Sequence, residues 1–186
     1  MMALMNCTYS CVSSFLINYA VRQGVNQISI GLYITVYAAI MLFSRPMIGR
    51  LSDPFSMLKT FIPALFCFAA SFVVISIAHT LPVFLLAAVI SAFGYGTCAP
   101  AGQALCMKCV SPDRRGTASS TSYIGEDLGN ILGPILSGTL VTSFGYHSMW
   151  LMMIIPVGIV AALTIIFSRK ISEIEHNFLV RSKSAT

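Results

Sequence analysis

Two adjacent carboxylates, Glu126 and Asp127, stand inside residues 119–138, SSTSYIGEDLGNILGPILSG, a stretch that is otherwise apolar and studded with glycine. A charge at the centre of a membrane helix costs about 3 kcal/mol, so acids at that depth are tied to ion paths and proton relays. At 3.6 residues per turn, Tyr123, Asp127 and Asn130 fall on one side of a helix, with Glu126 about 100° round from Asp127. The stripe suits proton or cation handling: low-dielectric surroundings disfavour the charged form of an acid, and a neighbouring acid opposes double ionisation. Asp127 is the expected carrier and Glu126 its auxiliary, with the two titrating as a pair. The competing reading is a buried helix with polar packing contacts.

A second face of the same helix is built for contact. Gly125, Gly129 and Gly133 recur every four residues, with Gly138 beyond them, and small residues at that spacing let another backbone come close. Pro134 lacks an N–H and predicts a kink or local unwinding, unless a neighbouring group takes up the freed carbonyl.

Other chemistries lack their residues. Cys7, Cys11, Cys67, Cys98, Cys106 and Cys109 show no paired framework, and the single C-x-x-C at 106–109 has neither a second pair nor a redox-type context. No metal site or cofactor is expected. His79 and His147 fall at span ends and His176 in the tail, so an intramembrane serine protease has no histidine base at depth, and no catalytic residue is assigned. Phosphate-binding glycine loops are absent, which leaves an ion gradient as the energy source.

The elements that must position these acids follow from composition. Of the 186 residues, 56% are hydrophobic and only 9% charged, and the mean hydropathy is +0.83. These values describe an integral membrane protein. No ten-residue alternating pattern repeats, so helices are the expected way of satisfying the backbone in lipid. The fold class is all-α, polytopic, with six transmembrane helices at about 2–21, 28–44, 61–78, 81–107, 118–142 and 148–168 and a tail at 171–186. The first run, MMALMNCTYS onward, lacks a basic leader and a cleavage site and reads as a retained helix rather than a signal peptide. Its Ser10, Ser13, Ser14, Asn18 and Tyr19 give it a polar side that suits a cavity wall, with helix-to-helix hydrogen bonding as the alternative. Gly94-Tyr95-Gly96 and Pro100 mark a flexible or broken point in the fourth span. Phe144-Gly145-Tyr146-His147 turns the chain into the last.

Charge fixes a topology. Of the 11 Lys and Arg residues, Arg22 stands alone on one side and the other ten fall at 45–59, at 108–115 and in the tail. By the positive-inside rule those regions and both termini are cytoplasmic, in the cell membrane. The net charge of +5 is a topological signal, and no basic groove interleaved with aromatics invites nucleic acid.

Several of these motifs resemble the major facilitator superfamily, in the second half of one of its twelve-helix transporters. Gly49-Arg50-Leu51-Ser52-Asp53 is similar to the family's loop signature between the eighth and ninth helices, although Pro54 replaces a basic residue and Ser56 a glycine, leaving Lys59 as the trailing base. Residues 111–118, SPDRRGTA, resemble the loop before the eleventh helix. Asp127-Leu128-Gly129 with Gly133-Pro134 and Gly138 is similar to the eleventh helix of the drug-efflux-like branch, whose pattern lacks Glu126.

The resemblance implies one of two six-helix bundles that enclose substrate near mid-membrane and alternate access by rocking. It also implies a gate at Arg45, Gly49, Arg50 and Asp53, with Asp53 pairing a helix of the absent half. Asn18, Tyr19, Tyr123 and Asn130 are then the expected cavity groups, and Gly125, Gly129, Gly133, Pro134 and Gly138 the packing surface. The expected function is export of a small amphipathic compound against proton entry. Import of a sugar or metabolite is the runner-up, and a non-transporting membrane subunit or inactive remnant the third reading. The expected partners are substrate, protons, the lipid bilayer and a missing N-terminal half or second membrane subunit. Within six helices the Gly and Ser wall of the first and fifth spans has no evident partner, which predicts self-association.

Overall fold

The computed structural model describes residues 1–52, 57–108, 110–111 and 114–168, the side chains at 27, 44–52, 57–59 and 108 apart. Among these residues the regular structure is helical: α1 Met2–Arg22, α2 Gln27–Ser52, α3 Met57–Ser76, α4 Leu81–Lys108, α5 Arg115–Met152 and α6 Ile154–Ile166. Two stretches are long and apolar enough to cross a membrane by length and composition, Leu81–Met107 and Arg115–Ile166, and shorter apolar helices run over Ile28–Phe43 and Thr60–Ser76.

The helix bounds differ from the sequence expectation in three instructive places. Arg45 does not end the second helix, because α2 continues to Ser52; arginine is a good helix former, and a basic residue near a span end marks the lipid boundary rather than the end of the hydrogen-bonded ladder. Nor is α4 broken at its glycines. It runs unbroken through Gly94, Gly96 and Pro100, and Gly94 serves contact instead, since a Cβ there would meet the backbone N of Phe68 at 2.6 Å. The third departure is in α5, where helical hydrogen bonding is continuous past Thr142 but the backbone leaves helical angles at Gly145, with φ 79 and ψ 172. Glycine alone adopts that conformation cheaply, so the chain turns there, where the sequence places its last connection. The next break, at Met153, keeps right-handed helical angles (φ −69, ψ −8).

Packing follows small residues and aromatic rings. In lipid there is no hydrophobic drive between helices, so close fit and hydrogen bonds must hold them. The most extensive contacts join α1 to α5, α3 to α4 and α2 to α4. Phe68 and Phe72 of α3, Phe84 of α4 and Trp150 of α5 are fully buried; Phe68 meets Phe72 at 5.1 Å and Phe72 meets Trp150 at 6.3 Å, while Phe84 and Trp150 both pack on Tyr19.

The α1–α5 contact is where the carboxylate helix is seated. A Cβ at Gly129 would strike the carbonyl oxygen of Ala3 and the backbone N of Cys7, and one at Gly133 the carbonyl oxygen of Cys7. Ala3, Cys7 and Phe15 pair with Gly129, Gly133 and Gly138 in ascending order, so the two helices run parallel. The Gly and Ser surfaces of α1 and α5 thus partner each other. This corrects the expectation that they lack a partner within the chain, and it removes the ground for self-association: in sequence the two stretches lie far apart, and only the fold brings them together.

Candidate functional site

Pro134 and Ser10 explain how α5 continues as a helix past its acids. Proline at 134 leaves the carbonyl of Asn130 without its i+4 donor. Ser10 of α1 supplies one, its hydroxyl donating to the Asn130 oxygen at 3.0 Å. One turn on, buried Ser137 donates to the Gly133 carbonyl at 2.7 Å. The helix through the acids is therefore intact and clamped on one side by α1.

On that helix the two carboxylates have different surroundings. Asp127 is exposed, as are Tyr123 and Asn130, and the three share the face predicted from helical spacing. Ile124, Leu128, Ile131 and Leu132 flank them, also exposed, so this face of α5 is open over several turns. Glu126 is half-buried and reaches the other way. Its Oε1 accepts a hydrogen bond from Gln103 Nε2 of α4 at 2.9 Å. Gln103 went unremarked in the sequence, yet a visible signal exists: it is the one strongly polar side chain in CAPAGQALCM, residues 98–107, and a lone amide inside an apolar span needs a partner.

The remaining predicted residues are placed as follows. Asn18 is exposed on α1, but Phe15, one turn below it, lies level with Gly138. At 1.5 Å per residue, the eleven residues from 127 to 138 put Asn18 roughly 16 Å or more along the axis from Asp127. Tyr19 is buried, its hydroxyl donating to the Ser76 carbonyl at 2.9 Å, and its ring packs on Phe84, Tyr146 and Trp150. The structure therefore groups Tyr123, Asp127 and Asn130, and brings neither Asn18 nor Tyr19 to them. Of the expected packing residues, Gly129 and Gly133 make the closest approaches; Gly125 and Gly138 leave room, with nearest atoms at 3.8 and 3.7 Å from a Cβ. Arg45, Gly49 and Arg50 lie on the last turns of α2. Asp53 lies outside the described residues, as do Pro112, Asp113 and the tail from 169.

A tyrosine cluster between α1, α2 and α4 is a feature that reading one helix at a time does not find. Tyr9 stacks on Tyr95 with ring centroids 4.2 Å apart and lies 6.1 Å from Tyr37. The Tyr95 hydroxyl donates to Asn6 Oδ1 at 2.8 Å. Tyr9, Tyr33 and Tyr37, with Val12, Ser13 and Leu16, line a pocket of about 90 Å³. Among the described residues no group of three His, Cys, Asp or Glu side chains is placed to hold a metal ion.

An all-helical chain with parallel first and fifth helices clamped through glycines, and acids on the fifth, can be set against known proteins. The family profile of the Major Facilitator Superfamily matches residues 1–181. The chain belongs to this superfamily. Among its relatives, MdtD of Klebsiella pneumoniae (strain 342), described as a candidate multidrug resistance protein, is 29% identical over 153 residues, covering 82% of this chain and 32% of MdtD. The uncharacterized MFS-type transporter YtbD of Bacillus subtilis (strain 168) is 28% identical over 134 residues, 72% of this chain and 34% of its own length. Such relatives agree with the drug-efflux-like branch that the α5 motif resembles. A crystal structure of the peptide transporter POT, an E310Q mutant in complex with sulfate, superposes with a TM-score of 0.78 at 19% identity, over 91% of this chain and 36% of that one. That likeness establishes the fold. The chain spans about a third of the length of the curated relatives it matches, and as a member of this superfamily it is a membrane protein of transporter type.

Proposed function

We propose that this chain forms the C-terminal six-helix half of a proton-coupled exporter of small amphipathic compounds in the cell membrane, with both termini cytoplasmic. In this reading the break at Gly145 parts a fifth span, residues 115–144, from a sixth, residues 146–166, and the count is six. The observation that carries the functional reading is the open face of α5, where Tyr123, Asp127 and Asn130 stand exposed among apolar residues. Solvated carboxylate is a poor neighbour for hydrocarbon, so this face is suited to a second bundle and a wet cavity rather than to lipid. The missing partner is the N-terminal half, in keeping with the share of each relative that the chain covers. Substrate binds between the halves against the apolar and aromatic surface, the α5 acids Glu126 and Asp127 between them link its exit to proton entry, and the α2 end with Asp53 gates one side.

The test is transport in membrane vesicles by the transporter that carries this chain, using ethidium as an amphipathic probe. A pH gradient imposed across the membrane is expected to drive ethidium movement, and a protonophore to abolish it. Movement indifferent to both contradicts the reading.

A further inference from the structure

The two adjacent acids face different neighbours, and that separates their roles. We propose that Glu126, Gln103 and Ser122 together form the proton-loading site, and that Asp127 meets the transported compound instead. The inference rests on the transport reading above and deepens it.

Gln103 Nε2 donates to Glu126 Oε1 across the α4–α5 contact at 2.9 Å. A carboxamide carries a donor and an acceptor on one rotatable plane. It holds the carboxylate through its N–H, and after half a rotation it can receive the O–H of the carboxylic acid through its carbonyl. The pair therefore keeps a hydrogen bond in both protonation states, so a half-buried acid can gain and lose its proton without losing this partner.

Ser122 is an independent indication. It is 7% exposed, and its Oγ is buried with no hydrogen-bond partner among the described residues. It stands one turn before Glu126 on the same face, and a helical side chain lies over the turn preceding its own Cα. The carboxyl group of Glu126 and the hydroxyl of Ser122 thus share one patch of α5. An orphaned buried hydroxyl in a native structure calls for a partner, and the O–H of a protonated Glu126, or a water that delivers its proton, supplies one.

Met2 of α1 closes the site on its apolar side, lying against both Gly102 and Gly125, the residues just before Gln103 and Glu126. The titratable groups these helices carry near this level are Tyr123 and Asp127 on α5, Cys106 on α4, and Cys7 and the amino group of Met1 at α1. Asp127, by contrast, is exposed on the open face and has no hydrogen-bond or ion-pair partner among the described residues, which suits contact with substrate. In the loading step a hydronium ion gives up one O–H bond, its proton forms the O–H of the Glu126 carboxylic acid and a water molecule is left; on the opposite side that O–H breaks and the proton passes to water, restoring hydronium and the carboxylate.

The experiment uses the purified chain in lipid nanodiscs and acid-minus-alkaline infrared difference spectra in the carboxylic C=O region. The expected band is lost in Glu126→Gln and retained in Asp127→Asn, and it shifts in Gln103→Met and in Ser122→Ala because the acid has lost a hydrogen-bond partner. Gln103→Asn, whose shorter amide cannot reach, is expected to give the same shift and replaces Gln103→Met if that protein loses its helical circular dichroism. A band lost in Asp127→Asn and kept in Glu126→Gln overturns the proposal, as does a band that none of the Gln103 and Ser122 changes moves. The readout needs no transport, so absent gradient-driven export with these spectra as expected would count against the transport reading alone.

Discussion

The Ser10 hydroxyl is the group that lets Pro134 sit inside α5, and removing it isolates the cost of one unsatisfied carbonyl. In Ser10→Ala the Asn130 oxygen loses the donor 3.0 Å away, and Pro134 offers no N–H in its place. Leaving a fully buried acceptor unpaired costs about 1–3 kcal/mol, an upper bound for this partly buried oxygen, whereas interhelical hydrogen bonds in membranes average about 0.6 kcal/mol and reach about 1.7. The bond is partly buried between α1 and α5, so we place Ser10→Ala at about 1–2 kcal/mol, a factor of roughly 5–30 in the folded-to-unfolded ratio. Pro134→Ala supplies the test of cause. An alanine N–H at 134 donates to the Asn130 carbonyl within the helix, so in that background Ser10→Ala should cost no more than about 0.5 kcal/mol. The resulting coupling of about 1 kcal/mol lies well within what a double-mutant cycle resolves. Unfolding by denaturing detergent can be followed through Trp150, the single tryptophan of the chain, which is fully buried. Additive effects of the two substitutions would refute the account of how Pro134 is accommodated in α5.

Other expectations follow from the same contacts. Gly129→Ala and Gly133→Ala each force a Cβ into the α1 backbone and should destabilise the chain by about 1–3 kcal/mol, while Gly125→Ala, whose nearest atoms lie at 3.8 Å, should fall within about 0.5 kcal/mol of the parent in the same unfolding assay. Gly145→Ala should cost about 1–3 kcal/mol, because φ 79 with ψ 172 is a region that side chains avoid. In a cysteine-free background, single cysteines at Ser56 and Ser111 should react with an impermeant maleimide from the cytoplasmic side and one at Thr80 from the other side; labelling of all three from one side would overturn the orientation.

How much of this the sequence discloses depends on whether a feature is local to one helix. The Tyr123–Asp127–Asn130 stripe and the glycine face of α5 follow from the period of a single element, and both are present. The turn at Gly145 is also local, since a glycine among polar and aromatic residues between apolar runs is a strong signal. Features made between helices are not legible in this way. Gln103 and Glu126 are 23 residues apart and meet only because α4 and α5 adjoin. Ser10 and Asn130 are 120 apart. Tyr19 illustrates the limit for amphipathic side chains: its hydroxyl suits a cavity and its ring suits a core, and the sequence does not say that Ser76 will satisfy the one while Phe84 and Trp150 surround the other. Arg45 shows that a change in polarity does not locate a helix end, since α2 runs on to Ser52.

The central claim is that the acids of α5 couple transport to the proton gradient, and the direct measurement compares two modes of transport in one variant. Vesicles bearing the transporter with Glu126→Gln and Asp127→Asn together are assayed for ethidium exchange at equal pH and for ethidium export driven by a pH gradient. With neither side chain able to gain or lose a proton, the account predicts that gradient-driven export falls to the undriven rate, whatever level of exchange the loss of the Asp127 charge leaves. Driven export undiminished in the double variant would contradict it, and would mean that the proton crosses elsewhere.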